Sequence, residues 1–264
     1  MTAWQSLPPE TASSEGAYRR LWERYAAPLD DPFAQALAAG AVADRFAWIF
    51  IAGYQAALRR VFGRLDGWSA FAVTEDRSAE QPLPGVTWKE AAAGYRIDGC
   101  KTWVAACQHI DSLVIKAGRG ADARYFLVPA QIAGLGIEAK RAPRMLPDLS
   151  QGVAHFDAVV LPATALQDAA AVAQFGASEV LFIYTAFLAS SWHRVPTERS
   201  AIEALLALAT PLATGAAVER NSAFQPLDDG VQALRERLAA GPFADDADWQ
   251  RDQTLVRMYA KPAP

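Results

Sequence analysis

The spacing of apolar positions changes twice along the chain. From Phe33 to Phe62 apolar and small residues recur at helical intervals, through Phe46, Ile49, Phe50, Gly53, Tyr54, Ala57, Leu58 and Val61. Asp31-Pro32 stands just ahead of this run. Asp can cap a helix, and Pro is preset for its first position. Arg59, Arg60 and Arg64 fall near the end, where cations suit the helix dipole, and Gly63 and Gly67 punctuate it. Residues 1–66 therefore read as a helical region.

The next stretch alternates at strand spacing between frequent turn residues. Strands are expected over 68–75, 86–92, 95–98, 101–106, 113–117, 125–129, 136–139 and 153–161. Glycines at 85, 94, 99, 118, 120, 134, 136 and 152 mark the turns. Short strands at this density predict a small antiparallel barrel or sandwich. No βαβ alternation is visible, which argues against a doubly wound nucleotide fold. After residue 165 the period returns to helical, with helices expected over 169–194, 197–220, 227–240 and 246–261. Pro196 separates the first two, and Pro211 should kink or divide the second. Glu236-Arg237 and Asp252-Gln253 read as solvated helix faces. The fold class is α+β: an N-terminal helical region (1–66), a central antiparallel β domain (67–164) and a C-terminal helical bundle (165–264).

Composition narrows the function classes. The chain has 264 residues, 52% hydrophobic and 20% charged, which suits a globular protein with a sizeable core. Its 25 basic and 29 acidic side chains leave a net charge of −4, with no basic stripe, so nucleic acid is not an expected partner. Cys100 and Cys107 are too few for a disulfide scaffold, and with His109, His155 and His193 scattered they make no metal site. Both cysteines read as buried core thiols. Residues 1–10 carry no apolar signal core, and the longest apolar stretch, from Phe46 to Leu58, is too short for a membrane span. A cytoplasmic location and no membrane partner are expected. Nucleophile-elbow, phosphate-loop and zinc-protease motifs are absent from the sequence.

Four short words in the β region carry more information. They are Phe71-Ala72-Val73-Thr74-Glu75, then Gly94-Tyr95-Arg96-Ile97-Asp98-Gly99-Cys100-Lys101-Thr102-Trp103-Val104, then Tyr125-Phe126-Leu127-Val128-Pro129, and last Phe156-Asp157-Ala158-Val159-Val160-Leu161-Pro162. In order and spacing, over about a hundred residues, they resemble the middle domain of the acyl-CoA dehydrogenase family. That family places its β domain between two helical domains.

The resemblance implies a flavoprotein oxidoreductase that desaturates an acyl thioester, such as an acyl-CoA, between its α and β carbons with FAD. A carboxylate takes the α-proton and the flavin accepts the hydride. Carried over by motif, Phe71, Val73, Thr74, Trp103 and Val104 are the flavin-side positions. Strand backbone, a Thr hydroxyl and an indole face are chemically suited to a flavin. The same apolar residues also suit an ordinary β core. Glu75 and Asp157 match family words as structural residues, and Lys101 reads as a charged or capping residue at a strand turn.

Departures from the family pattern are as specific. Asp76-Arg77-Ser78-Ala79-Glu80 stands where the family has a glycine-rich Pro-Gly-x-Gly-Ser segment, and Ala105 stands where it often has a flavin-side hydroxyl. The C-terminal region lacks the segments that meet the cofactor of a neighbouring subunit in the family, and the late Glu-Gly-Thr base motif. Some family members place the catalytic carboxylate early in the first helix after the β domain; the resemblance thus implies Glu179 as the candidate base, among Val180, Leu181, Phe182 and Ile183. Apolar surroundings would raise its pKa toward that of a useful base. The family usually follows this position with Arg, and here it is Val180. Two readings stand. One is an acyl-CoA-dehydrogenase-like enzyme using FAD. The other is a degenerate, pseudoenzyme-like member that has lost FAD and binds a ligand or serves as a partner subunit. A homo-oligomer, or a hetero-oligomer with a complete dehydrogenase subunit, is the expected assembly.

Overall fold

The computed structural model describes residues 3–8, 10–63, 65–76 and 80–260. Arg64, Arg77-Ser78-Ala79 and Lys261 lie outside the described residues. The chain forms two compact units, one of residues 1–61, 144–148 and 174–264, the other of 62–143 and 149–173. The helices at the two ends of the sequence thus share one unit.

That helical unit contains α1 (Glu15–Tyr25), α2 (Pro32–Ala41), α3 (Phe46–Phe62), α5 (Phe175–Arg194), α6 (Arg199–Thr214), α7 (Gln225–Ala240), α8 (Ala247–Asp252) and α9 (Thr254–Tyr259). Ser14 caps α1, and Asp31 caps α2 by accepting from the Phe33 and Ala34 amides, with Pro32 in the first turn. The single apolar run expected from Phe33 onward is two helices, interrupted between Ala41 and Phe46. The α5 helix is the centre of the unit, with every residue from Val180 to Trp192 buried. Glycines let neighbouring backbones reach it. A β-carbon on Gly40 would lie 2.4 Å from the Ala186 carbonyl oxygen, and one on Gly53 2.4 Å from the Ile183 α-carbon. Ser190 Oγ donates to the Ala43 carbonyl at 2.7 Å. Helix α6 continues one turn past Pro211 and ends at Thr214.

Asp252 and Gln253 are not a solvated face. Asp252 is buried and accepts from the Leu146 amide at 3.1 Å and from Arg251 at 2.6 and 2.9 Å. Gln253 accepts from Arg235 at 2.7 Å. Specific partners satisfy these polar groups, so burial costs them little. Glu236, by contrast, is exposed. Among the described residues no helix is long and apolar enough to cross a membrane.

The β unit holds two four-stranded sheets. The first orders β1 (Ser69–Ala72), β4 (Ser112–Ala117), β5 (Arg124–Pro129) and β8 (Leu166–Gln167). The second orders β2 (Thr87–Ala91), β3 (Gly94–Ala105), β7 (Gln151–Pro162) and β6 (Leu135–Ala139). Pairing is antiparallel except for β1 beside β4, which is parallel. The short helix α4 (Ala169–Ala173) belongs to this unit. The segments expected over 95–98 and 101–106 are one strand, β3, with two register shifts against β7. At the first, Asp157 and Ala158 stand opposite Asp98, with Ala158 at φ 52° and its amide donating to the Asp98 carboxylate at 2.8 Å.

Candidate functional site

The second register shift builds the part of the β unit that holds the positions the resemblance assigns to a flavin. Lys101 pairs with Ala154 and Val104 with Gly152, so Thr102 and Trp103 oppose Val153 alone. This bulge turns the Thr102 amide away from β7 and toward the end of β1, where it donates to the Thr74 carbonyl at 2.9 Å. The 71–74 and 102–104 segments are thereby joined. Phe71, Val73 and Trp103 are half-buried and Thr74 is exposed. The Phe71 and Phe62 rings lie 6.1 Å apart, and the Trp103 indole donates to Gln151 at 3.2 Å, which fixes the ring. Val104 differs from the other four. Its side chain is fully buried, so it fills the core and only its backbone can face a ligand.

The same unit holds an ion pair between Lys101 and Glu75. Lys101 is not at a strand turn. It is fully buried in mid-strand, and its Nζ donates to Glu75 Oε1 at 2.7 Å. Burial opposes ionisation of Glu75, but Lys101, Arg119 at 3.5 Å and the Val86 amide together hold its carboxyl below the ordinary range. Burial also pulls the Lys101 ammonium down despite its partner. Gly85 makes room for this pair, since a β-carbon there would lie 2.7 Å from the Glu75 carboxylate. Nearby, Cys100 is buried, its thiol pKa pushed up by desolvation, and its sulfur is 3.2 Å from His155 Nδ1. Cys107 is buried as well.

The fit to a flavin is uneven. The side-chain types at Phe71, Val73, Thr74 and Trp103 suit a flat aromatic ring and a hydrogen bond to its rim. Ala105 is fully buried and offers no hydroxyl. The Asp76 carboxylate accepts from the Leu83 amide at 2.9 Å.

Glu179 lies in the helical unit, in the second turn of α5. It is half-buried, with Ser178 and Val180 buried on either side. Tyr259 on α9 donates its hydroxyl to Glu179 Oε1 at 3.2 Å, the one hydrogen bond this carboxylate makes among the described residues. Desolvation raises the Glu179 pKa to about 7, with the Tyr259 bond pulling the other way. Tyr259 itself is pushed well above its ordinary value, first by burial and then by the adjacent carboxylate, so it is a protonated donor at neutral pH. The sequence held no local sign of this partner, which is 80 positions away.

A polar chain holds α9 in place. Arg220 donates to the Tyr259 carbonyl at 2.5 Å and lies 3.7 Å from Asp228. Asp228 accepts from Tyr184 at 2.5 Å. Gln232 donates both to the Tyr184 oxygen at 3.0 Å and to the Val256 carbonyl at 2.9 Å.

No protein-family model matches the sequence, and no curated protein matches it. Solved structures do match in fold. The prolyl acyl carrier protein oxidase AnaB aligns at TM-score 0.69 and 14% identity, over 93% of this chain and 86% of its own. A glutaryl-CoA dehydrogenase from Mycobacterium smegmatis in complex with FADH2 aligns at 0.62 and 13%, over 97% and 84%. FkbI, for biosynthesis of the methoxymalonyl extender unit of a polyketide immunosuppressant, aligns at 0.62 and 15%, over 87% and 79%. The α+β architecture of this chain is the acyl-CoA dehydrogenase fold.

Proposed function

We propose that the chain is an acyl-thioester dehydrogenase of the acyl-CoA dehydrogenase type, with Glu179 as the base. The observation that carries this reading is the Glu179 carboxylate itself, desolvated on α5 to a pKa of about 7. Removing a proton α to a thioester carbonyl calls for a carboxylate more basic than one in water, with a substantial ionised fraction near neutral pH. Glu179 takes that proton onto its carboxylate. Phe71, Val73, Thr74 and Trp103 would cover the ring of FAD, whose chemistry when bound is to accept the hydride from the β-carbon. The acyl group is carried as a thioester, on CoA or on a carrier protein; AnaB is described as acting on a prolyl acyl carrier protein.

The direct test of the base uses an acyl-CoA in deuterium oxide with FAD-supplemented protein. Wild type should exchange the α-hydrogens, read by mass spectrometry, and Glu179→Gln should not. Equal exchange by both proteins removes Glu179 from this role.

A second reading rests on Ala105 and on the 76–80 segment, whose sequence replaces the glycine-rich segment of the family pattern. Under it, the chain keeps the fold without its own flavin and acts as a ligand-binding or partner subunit. A protein that takes up no FAD on soaking favours this reading.

A further inference from the structure

Within the helical unit the Glu179 carboxylate has one hydrogen-bond partner among the described residues, and that partner comes from the last helix. The titratable groups around the pair are Tyr259 on α9, Tyr54 on α3 and Tyr184 on α5, with Arg220 on the Tyr259 carbonyl and Asp228 behind it on α7. None of these places a cation on the carboxylate. The Tyr259 hydroxyl is therefore the group that opposes desolvation and favours the ionised form.

We propose that Tyr259 is the positioning residue of this site: its hydroxyl donates to Oε1 of Glu179 and holds the carboxylate in one orientation, with Oε2 left to take a proton. Its hold depends on α9, which is fastened by Arg220 at one end and by Gln232 on the Val256 carbonyl one turn earlier. The C-terminal helix is then part of the site rather than a trailing element. The inference rests on the reading of Glu179 as base for its consequence in catalysis, but the pairing itself is measurable without turnover.

The test is a carboxyl carbon-13 titration of protein labelled at glutamate, with the Glu179 signal assigned by its loss in Glu179→Gln. Tyr259→Phe keeps the ring and removes the donor, and should raise the Glu179 midpoint by about one pH unit, with the melting temperature little changed. Replacement of Tyr259 by a ring-fluorinated tyrosine, a stronger donor of the same shape, should lower the midpoint. If turnover exists, its acidic limb should shift in step with each variant. A midpoint shift in a protein without turnover keeps the inference and removes the dehydrogenase reading. A Glu179 midpoint that is the same in the wild type, the Phe variant and the fluorinated protein overturns the inference.

Discussion

Tyr259 and Glu179 meet at 3.2 Å, although 80 positions separate them in the chain. This pair joins the end of the helical unit to the carboxylate with the most raised pKa among the described acidic side chains. It makes the state of Glu179 a property of the tertiary fold.

Stability should record the proton that Glu179 binds. Its folded pKa of about 7 lies above the ordinary carboxylate value of 4.5. Between those two pH values the folded state holds more proton than the unfolded state, so this group's contribution to stability falls as pH rises from 4.5 to 7. Glu179→Gln removes that dependence. Thermal melts from pH 5 to pH 8 should give a steeper decline in melting temperature for wild type than for the variant. Parallel curves would show that Glu179 titrates as an ordinary surface carboxylate.

Removing one partner of the Lys101–Glu75 pair should cost more than removing both. Lys101→Ala leaves Glu75 with a missing partner and a cavity, a loss of about 3–5 kcal/mol. Lys101→Met with Glu75→Leu removes both charges at similar volume and should recover most of that loss in urea unfolding. A double variant no more stable than Lys101→Ala would contradict this account. Because the Glu75 carboxyl is held below its ordinary range, the stability it gives wild type is present near neutral pH and is lost as pH falls through that lowered value.

Close approach of α3 to α5 depends on a missing side chain. Gly53→Ala puts a β-carbon 2.4 Å from the Ile183 backbone. Unfolding should report a loss of about 3 kcal/mol, since backbone must move to relieve it. A loss under 0.5 kcal/mol would mean that α3 shifts freely on α5.

Much of this architecture was legible because its signals are local. Alternation marked the strands, and Asp31-Pro32 marked the start of α2. The uninterrupted apolar spacing from Phe33 hid the break between α2 and α3. Two bulges merged what read as separate strands into β3, and a bulge depends on the strand opposite, which sequence spacing does not show. Lys101 was misplaced for a related reason. A lysine in a strand reads as exposed unless its partner is known, and Glu75 reaches it from another segment. Asp252 and Gln253 likewise looked solvated because the groups that satisfy them, the Leu146 amide and Arg235, are remote in sequence. Glu179 was singled out by its place in the family pattern, early in the first helix after the β domain, whereas Tyr259 had no such marker.

Flavin retention should depend on Trp103 and Thr74. Trp103→Ala, which removes the ring tethered to Gln151, should reduce FAD retained after desalting and cost about 2 kcal/mol of stability. Thr74→Val should reduce retention with little effect on folding. Retention unchanged by both substitutions would remove these positions as a flavin surface.

The central claim is tested most directly by the visible spectrum of the protein after FAD soaking and desalting, followed by anaerobic addition of an acyl-CoA. The account predicts a retained flavin spectrum that bleaches with the thioester in wild type and persists in Glu179→Gln. A protein that retains no flavin, or a Glu179→Gln variant that bleaches as fast as wild type, would contradict it.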